Sequence, residues 1–583
     1  MELIIKETGR MKKETYKQEP VFTIENSTLI SCELNGCTAI TIPADVKTIG
    51  KMCFASADVE EVILPEGIKC IESKAFADCF NLKKINFPEG LETVKDRTFM
   101  NCGSLVEVIL PTTLTKIGDY AFYNAGIKQL TLPDPKNVLS TGISVFSAIK
   151  VKSINVPKNL RLNKAMFSNC QQLRTVNFEA DWVTIPERCF YYCTSLGKID
   201  ISKALFIKDA AFLECYSLSV NVIPAYTCVS ACSFMKTGVK DVTIEDISKV
   251  GEKAFSDCKS LKKLTINVAD GPTSVPSALV KGCENLQTVM FTGRTQNLTV
   301  IEAAAFKETK NLNTVSLPDT IKTISKEAFY HSAIQNIHLP ENLKQIGIMA
   351  FAGNGLKNIV IPNKTKRLGY YAFRNCKELT EVTLPESVTK IPSGIFEGCC
   401  SLKTVNAPNV DTVCDYAFYD CKNLEAFDFS KLQPLEHMAF AYTGIHEAIF
   451  SDRLVNLGTV IFLSCNNLQT VDMKACKIQK IPYQCFCFCE GLKDVQLPQD
   501  VIAFGNGCFL RAKLNKLTIN AGTYVDDNAF GKSFINELVF ADDANRLTKT
   551  AVHPLAFENA EVGKLAIPDH MYDRFKDAID KIQ

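Results

Sequence analysis

Tryptophan occurs once, at Trp182, histidine six times, and neither sign of charge dominates, since 65 basic side chains against 64 acidic ones leave a net charge of +1. A balanced total removes the basic excess on which nucleic-acid binders draw, and no run of clustered Lys and Arg replaces it, so no nucleic-acid partner is expected. No stretch approaches the ~18 consecutive apolar residues of a membrane span. The first twenty residues, MELIIKETGRMKKETYKQEP, hold no apolar run longer than Leu3-Ile4-Ile5, well short of the ~7–15 that a secretory signal needs. As written, the chain is expected in the cytoplasm. G-x-G-x-x-G, the phosphate loop, H-E-x-x-H and C-x-x-C are all missing, so nucleotide, zinc-protease and dithiol chemistry lack their usual residues. No cofactor is expected.

What is present is a 46% hydrophobic, cysteine-rich chain with 25 cysteines, and above all a repeat. Aromatic anchors recur at Phe54, Phe76, Phe99, Phe122, Phe146, Phe167, Phe190, Phe212, Phe234 and Phe255, and from Phe306 to Phe557. Val280 fills the one gap, because VPSALVKGC aligns with IPSGIFEGC around Phe396. The 22 steps from Phe54 to Phe557 average about 22.9 residues. Around each anchor the motif returns, as in LTEVTLPESVTKIPSGIFEGC from Leu379 to Cys399. Val382-Thr383-Leu384 alternates with period two and predicts a short strand. The proline behind it, Pro385, has no N–H for a ladder and marks the strand exit. Thr115-Lys116-Ile117-Gly118 exemplifies a second apolar stretch leading into an Ala-Phe pair, expected to form a tight helical turn.

A unit of this size cannot bury its own apolar face, so it must stack on its copies. The expected fold is a repeat solenoid with a parallel β-sheet on one face and short strands, turns and helical turns on the other. Residues 1–20 form a polar extension and 21–568 a single solenoid of about 23 repeats, capped by a hairpin at 21–32. Residues 569–583 form a capping helix with Asp569 as its N-cap.

The pattern L-x-x-[IV]-x-[LIF]-P, then I-G or I-P, then A-F-x-x-C, resembles the BspA-type class of leucine-rich repeats over roughly residues 24–568. The resemblance implies a leucine-rich-repeat horseshoe and a non-catalytic adhesion or interaction role. It also implies the cell surface or secretion as the alternative address.

Twelve cysteines follow an anchor by three residues, among them Cys79, Cys102, Cys376, Cys399 and Cys421. Elsewhere that slot takes Ala, Thr, Ser, Asn or Ile149, so it asks for small volume and its thiols are expected as reduced core filling. Phe76, Phe99, Phe373, Phe396 and Phe418 are the matching structural anchors. The one soft-ligand cluster is Cys485-Phe486-Cys487-Phe488-Cys489, the seat of any thiol- or metal-dependent enzyme. Register explains Cys485 and Cys489 but not Cys487. No metal site is expected there. The histidines are scattered over different repeats, and Asn26, Asn297 and Asn363 open N-x-[ST] triplets read as loop polar residues.

Two residues before the strand exit, side chains should point out of the sheet. That row reads Thr41, Ile63, Asn86, Ile109, Thr131, Asn155, Asn177, Asp200, Thr265, Met290, Ser316, His338, Val360, Thr383, Asn406, Asp428, Asp472, Gln496 and Thr518. Its Asn, Thr, Asp and Ser content suits a protein or glycan ligand held by many modest contacts, and suits a solvated sheet equally. Longer intervals place insertions near Asn267–Ser274, Thr292–Leu298 and Asp542–Thr550, further candidates for recognition. The leading expectation is a non-catalytic interaction or adhesion module binding a macromolecule through the curved repeat face, with an architectural spacer as another possibility.

Overall fold

The computed structural model describes residues 19–134, 139–271, 273–544 and 548–583; residues 1–18 of the expected polar extension lie outside them. Contacts gather the described residues into two compact units. The first runs to Val220 and adds Tyr226–Val239, and the second takes Asn221–Ala225 with Lys240–Gln583. Both are parallel β-solenoids built in one way. Each turn of chain contributes one short strand to an outer sheet, a second to another parallel sheet, and a run of tight turns to the remaining side.

In the first unit the outer sheet begins with Ala39–Thr41, Glu61–Ile63 and Lys84–Ile85, paired in parallel so that Ile40 lies beside Val62 and Val62 beside Ile85. The stretch expected merely to lead into the anchor turn is itself a strand: Lys116–Ile117 pairs in parallel with Thr93–Val94 and Ser140–Thr141. The second unit repeats this, with Asn358–Val360, Glu381–Thr383 and Thr404–Asn406 outside. Its other sheet includes Thr323–Ile324, Gln345–Ile346 and Arg367–Leu368. Strands this short hold because alternate residues, such as Ile359 and Val382, enter a dry core.

The anchors fill that core. Within the first unit the rings from Phe54 to Phe234 stack on one another. The closest centroids are 5.0 Å apart, between Phe54 and Phe76, and the widest 6.0 Å, between Phe167 and Phe190. The second unit carries the same ladder from Phe306 to Phe557. Spacings of this size with near-parallel rings are the offset stacks that aromatic quadrupoles favour. Val280 is fully buried in the anchor register, donating its N–H to Ala305 O at 3.0 Å. Trp182 packs edge-on against Tyr226 inside the first unit, with centroids 5.5 Å apart.

The anchors do not lie in helical turns. Around Phe76 the N–H groups of Lys74, Phe76 and Asp78 donate to Asp96, Thr98 and Met100 of the next turn. Those of Ala75, Ala77 and Cys79 close tight turns on Glu72, Lys74 and Phe76. Reversing the chain this sharply puts Lys74 and Asp78 in left-handed backbone, φ 60° at both. The same pair, two residues before and two after the anchor, is left-handed at Arg97 and Asn101, Tyr371 and Asn375, Gly394 and Gly398, and at every other anchor up to Phe530; at Phe557 only Asn559 is. Most of these residues are not glycine. Each such L-residue costs roughly 1–2 kcal/mol, offset by the bonds to the neighbouring turn.

At the start, Val21–Glu25 and Thr28–Glu33 pair as an antiparallel hairpin. Asn26 and Ser27 are both left-handed, as a type I′ turn requires. At the end, Asp569–Tyr572 and Lys576–Ile579 are short α-helices joined by a 3-10 turn, burying Met571, Phe575, Ala578 and Ile579. Asp569 is not the N-cap: Pro568 holds that place in extended backbone, and no side chain caps the helix. Asp569 sits one residue inside as a first-turn acid, where the helix dipole still favours it.

Burial ranks the two repeat signatures. Truncating Phe373 to Ala should cost about 3–5 kcal/mol and Cys376→Ala about 1 kcal/mol, compared by urea denaturation. Lys253, exposed and left-handed at φ 55°, should tolerate glycine with a gain of about 0.5–1 kcal/mol in the same measurement.

Candidate binding face of the repeat strands

The outer row divides by what each side chain does. Where a repeat keeps its exit proline, no N–H two residues on calls for the row residue as acceptor. His338, Thr383, Asn406 and Gln496 accordingly make no side-chain hydrogen bond among the described residues and stand at the surface. Thr41, Thr131 and Ser316 are exposed likewise. Where the proline is missing, the freed N–H needs an acceptor. Asp200 Oδ1 accepts from Ser202 N at 2.9 Å, Asp428 Oδ1 from Ser430 N at 3.0 Å, and Asp472 Oδ1 from Lys474 N at 2.9 Å. The hydrogen bonds from Ser202 hold the Asp200 carboxyl below the usual range. These three aspartates are turn-formers, a role readable in the sequence as Asp two residues before an absent proline.

Asn86 also serves the backbone: its amide accepts from Leu64 N at 2.6 Å and donates to Leu64 O at 3.0 Å. Asn155 and Asn177 pair with each other, Nδ2 to Oδ1 at 2.9 Å. Between such residues stand apolar ones. Ile63, Ile109, Met290 and Val360 are exposed, Val360 by 65%, and Val222 and Ile449, absent from the sequence-derived row, join them. His338 and Val360 line one depression of about 400 Å³, and Gln496 and Thr518 another of about 270 Å³.

The first two insertions, of which residue 272 lies outside the described residues, lengthen a strand pair. Lys263–Val268 and Thr288–Gly293 pair along their full length, Val268 reaching Gly293. Asp270 pairs with Arg294, and Asn297 Nδ2 donates to Ala269 O at 3.0 Å. Of the third insertion, residues 545–547 lie outside the described residues. Its Asp543 is fully buried and accepts from Arg574 at 2.5 Å, Thr550 N at 2.8 Å and His570 Nε2 at 3.2 Å. Burial pushes that carboxyl up, but these donors outweigh it and hold it at about 2. Among the described residues, Asp542, Asp543 and His570 are the one group whose ligand-type atoms lie together, and the Arg574 guanidinium already fills the cation's place at Asp543.

The cysteines are all free thiols, and those of the slot after the anchor share one bond. Cys79 Sγ donates to Phe54 O at 2.9 Å, Cys102 to Phe76 O at 3.1 Å, Cys376 to Phe351 O at 3.2 Å, Cys399 to Phe373 O and Cys421 to Phe396 O at 3.1 and 3.2 Å. The slot is more than filling: its thiol adds a second hydrogen bond to a buried carbonyl of the preceding turn, which already accepts one from within its own turn. Asn354 Nδ2 does the same to Phe329 O at 2.7 Å. Burial pushes Cys376 up to about 12 and Cys487 to about 11, and raises Cys485 and Cys489 as well. Buried thiols with raised pKa values are poor nucleophiles, and Cys489 is committed to Phe462 O at 3.0 Å.

Stacked 22–23-residue turns with a parallel sheet, an aromatic ladder and a polar outer row define a leucine-rich-repeat protein. Six overlapping matches to the model of the BspA type leucine rich repeat region, at residues 23–143, 134–237, 227–355, 299–425, 344–469 and 411–537, cover most of the sequence. The chain belongs to that family. No curated protein matches it. Among solved structures it resembles a leucine-rich repeat protein from Bacteroides ovatus, with 15% identity over 97% of this chain and 96% of that one and a TM-score of 0.18. A leucine rich cell surface protein from Faecalibacterium prausnitzii matches at 17% identity over 82% and 92%, TM-score 0.24. A leucine rich repeat protein from T. pallidum matches at 22% over 43% and 77%, TM-score 0.22. Likeness at these identities concerns the fold alone. No helix among the described residues is long and apolar enough to cross a membrane.

The buried thiols set an alkaline limit. Because folding raises their pKa, their contribution is complete below the unfolded value near 9 and is lost as pH rises toward the folded one. Each withdraws about 1.4 kcal/mol per pH unit above ~9. Urea midpoints should therefore fall steeply between pH 9 and pH 11, and less steeply when Cys376, Cys399 and Cys421 are all replaced by Ala.

Proposed function

We propose that this chain is a non-catalytic interaction or adhesion module that holds a protein or glycan ligand along the outer row of its repeat strands. The observation that carries the reading is the mixture on that row. Exposed Ile63, Ile109, Val360 and Ile449 interrupt the Asn, Thr and Asp side chains, and an apolar side chain in water gains by being covered. The depressions beside His338 and Gln496 give a ligand purchase. Membership in a repeat family and the burial of Cys485, Cys487 and Cys489 in the core favour binding over thiol chemistry. The apolar interruptions favour it over a bare spacer. Twenty-five free thiols suit a reducing compartment.

The test uses row residues on which no backbone group depends. Affinity capture from the native host with the intact chain should lose its partners when Val360, Thr383 and Asn406 are each changed to Lys, and keep them when the exposed Lys69 and Lys116, beside and on the other sheet, are changed to Gln. Recovery of the same partners by the triple variant, folded by circular dichroism, removes the outer row from the function. Charge reversal at Asp428 or Asp472 is a poorer probe. Asp472→Ala should itself cost about 1 kcal/mol through the orphaned Lys474 N–H, whereas Asp472→Asn keeps the acceptor, a difference read by thermal denaturation.

A further inference from the structure

The second unit carries a cationic groove on its other sheet, away from the outer row. Lys322, Lys344 and Lys366 come from three successive turns and occupy one register: Lys344 N donates to Lys322 O at 2.8 Å, and Lys366 N to Lys344 O at 3.0 Å. In sequence they are 22 residues apart and form no cluster; the stacking of strands brings them to about 4.8 Å steps. Arg367 stands beside Lys366, and Lys364 reaches Asn342 Oδ1 at 2.8 Å. Together Lys344, Lys364, Lys366 and Arg367 line a depression of about 620 Å³ whose remaining wall includes the amides of Gln345 and Asn363. Lys366 and Arg367 also line an adjoining one of about 350 Å³, with Lys390, Tyr370, Ser387 and Ile348. Neither wall contains a carboxylate.

The charges are unneutralised. Among the described residues none of Lys322, Lys344, Lys364, Lys366 and Arg367 has an ion-pair partner. Some lysines elsewhere are matched by acids on neighbouring turns, as Lys83 is by Glu60 at 2.8 Å and Lys84 by Glu61 at 3.1 Å. Like charges stacked one strand apart repel, and an arrangement of this kind is relieved by an anion. The block is also bounded. Its column continues as Thr299 on one side and as Thr389 and Asp411 on the other, so an extended polyanion would overrun it onto an acid. The two depressions far exceed one oxyanion. Beside the cations they offer amides, the Ser387 hydroxyl and the exposed Tyr370 ring, 54% accessible, which suit sugar hydroxyls and a sugar face.

We propose that this groove binds a short anionic oligosaccharide, bearing sulfate or phosphate groups on successive sugars. The site is separate from the outer row, and its ligand need not be the one held there. Titration calorimetry of the full chain with a heparin-derived tetrasaccharide and with a phosphomannan-derived oligosaccharide distinguishes the two sources of charge. Binding by at least one, weakening with added salt, is expected. The desulfated or dephosphorylated counterpart should not bind. The Lys366→Gln/Arg367→Gln variant should weaken binding at least tenfold, and Lys344→Glu should do the same. Lys83→Gln/Lys84→Gln should leave it unchanged, as should the Val360, Thr383 and Asn406 lysine variant. All altered residues are at the surface, and circular dichroism checks each fold. Binding of neither sugar, equal loss in the Lys83/Lys84 control, or tighter binding of an eight-nucleotide oligothymidylate would overturn the proposal.

Discussion

Neighbouring turns are joined by a backbone ladder, and at every anchor before the last it runs through left-handed residues two before and two after the ring. That reversal aims alternate N–H groups at the next turn and lets the intervening ones close on their own. Everything else inherits its position from this arrangement. The phenylalanine ring drops inward between the two reversed residues and meets the ring of the next turn. The residue three further on is left facing a carbonyl of the turn before, and the chain leaves in the right direction to lay down the next outer strand.

Seen this way, several residue types are alternative answers to one local demand. Cys376, Asn354 and the other small donors of their column all supply a hydrogen to a buried carbonyl. Proline and aspartate at the strand exit are likewise exchangeable, since one removes the N–H and the other accepts from it. The repeat tolerates such variety because a volume is what each slot demands, with a hydrogen-bonding group added where the residue has one. That tolerance frees outward positions on either sheet to diverge, and the two sheets have taken different directions: polar with apolar interruptions on one, locally cationic on the other.

The periodic anchors, including Val280, were legible in the sequence because each fills a fixed volume at a fixed spacing. The outer strands were legible from Val382 and Leu384 with their exit proline. Short strands on the other face were expected, but their pairing into a second sheet was not legible, since a two-residue strand such as Lys116–Ile117 carries no alternation to detect. The left-handed positions escaped because most are occupied by residues like Lys74, Tyr371 and Met438 that ordinarily avoid such backbone. The thiols looked like packing because their hydrogen bond runs to another turn. The functions of Asp200, Asp428 and Asp472 could have been inferred from the missing prolines. Lys322, Lys344 and Lys366 could not have been grouped without knowing which columns share a face.

The placement of Trp182 has a practical side. Its indole lies partly exposed against Tyr226, within the first unit, and the second unit contains no other. Intrinsic emission excited at long wavelength therefore observes one half of the molecule and is blind to the other. A melt followed by this signal and one followed by far-ultraviolet dichroism would coincide only if the two units come apart together, so the protein carries a built-in reporter of whether its cooperativity is shared.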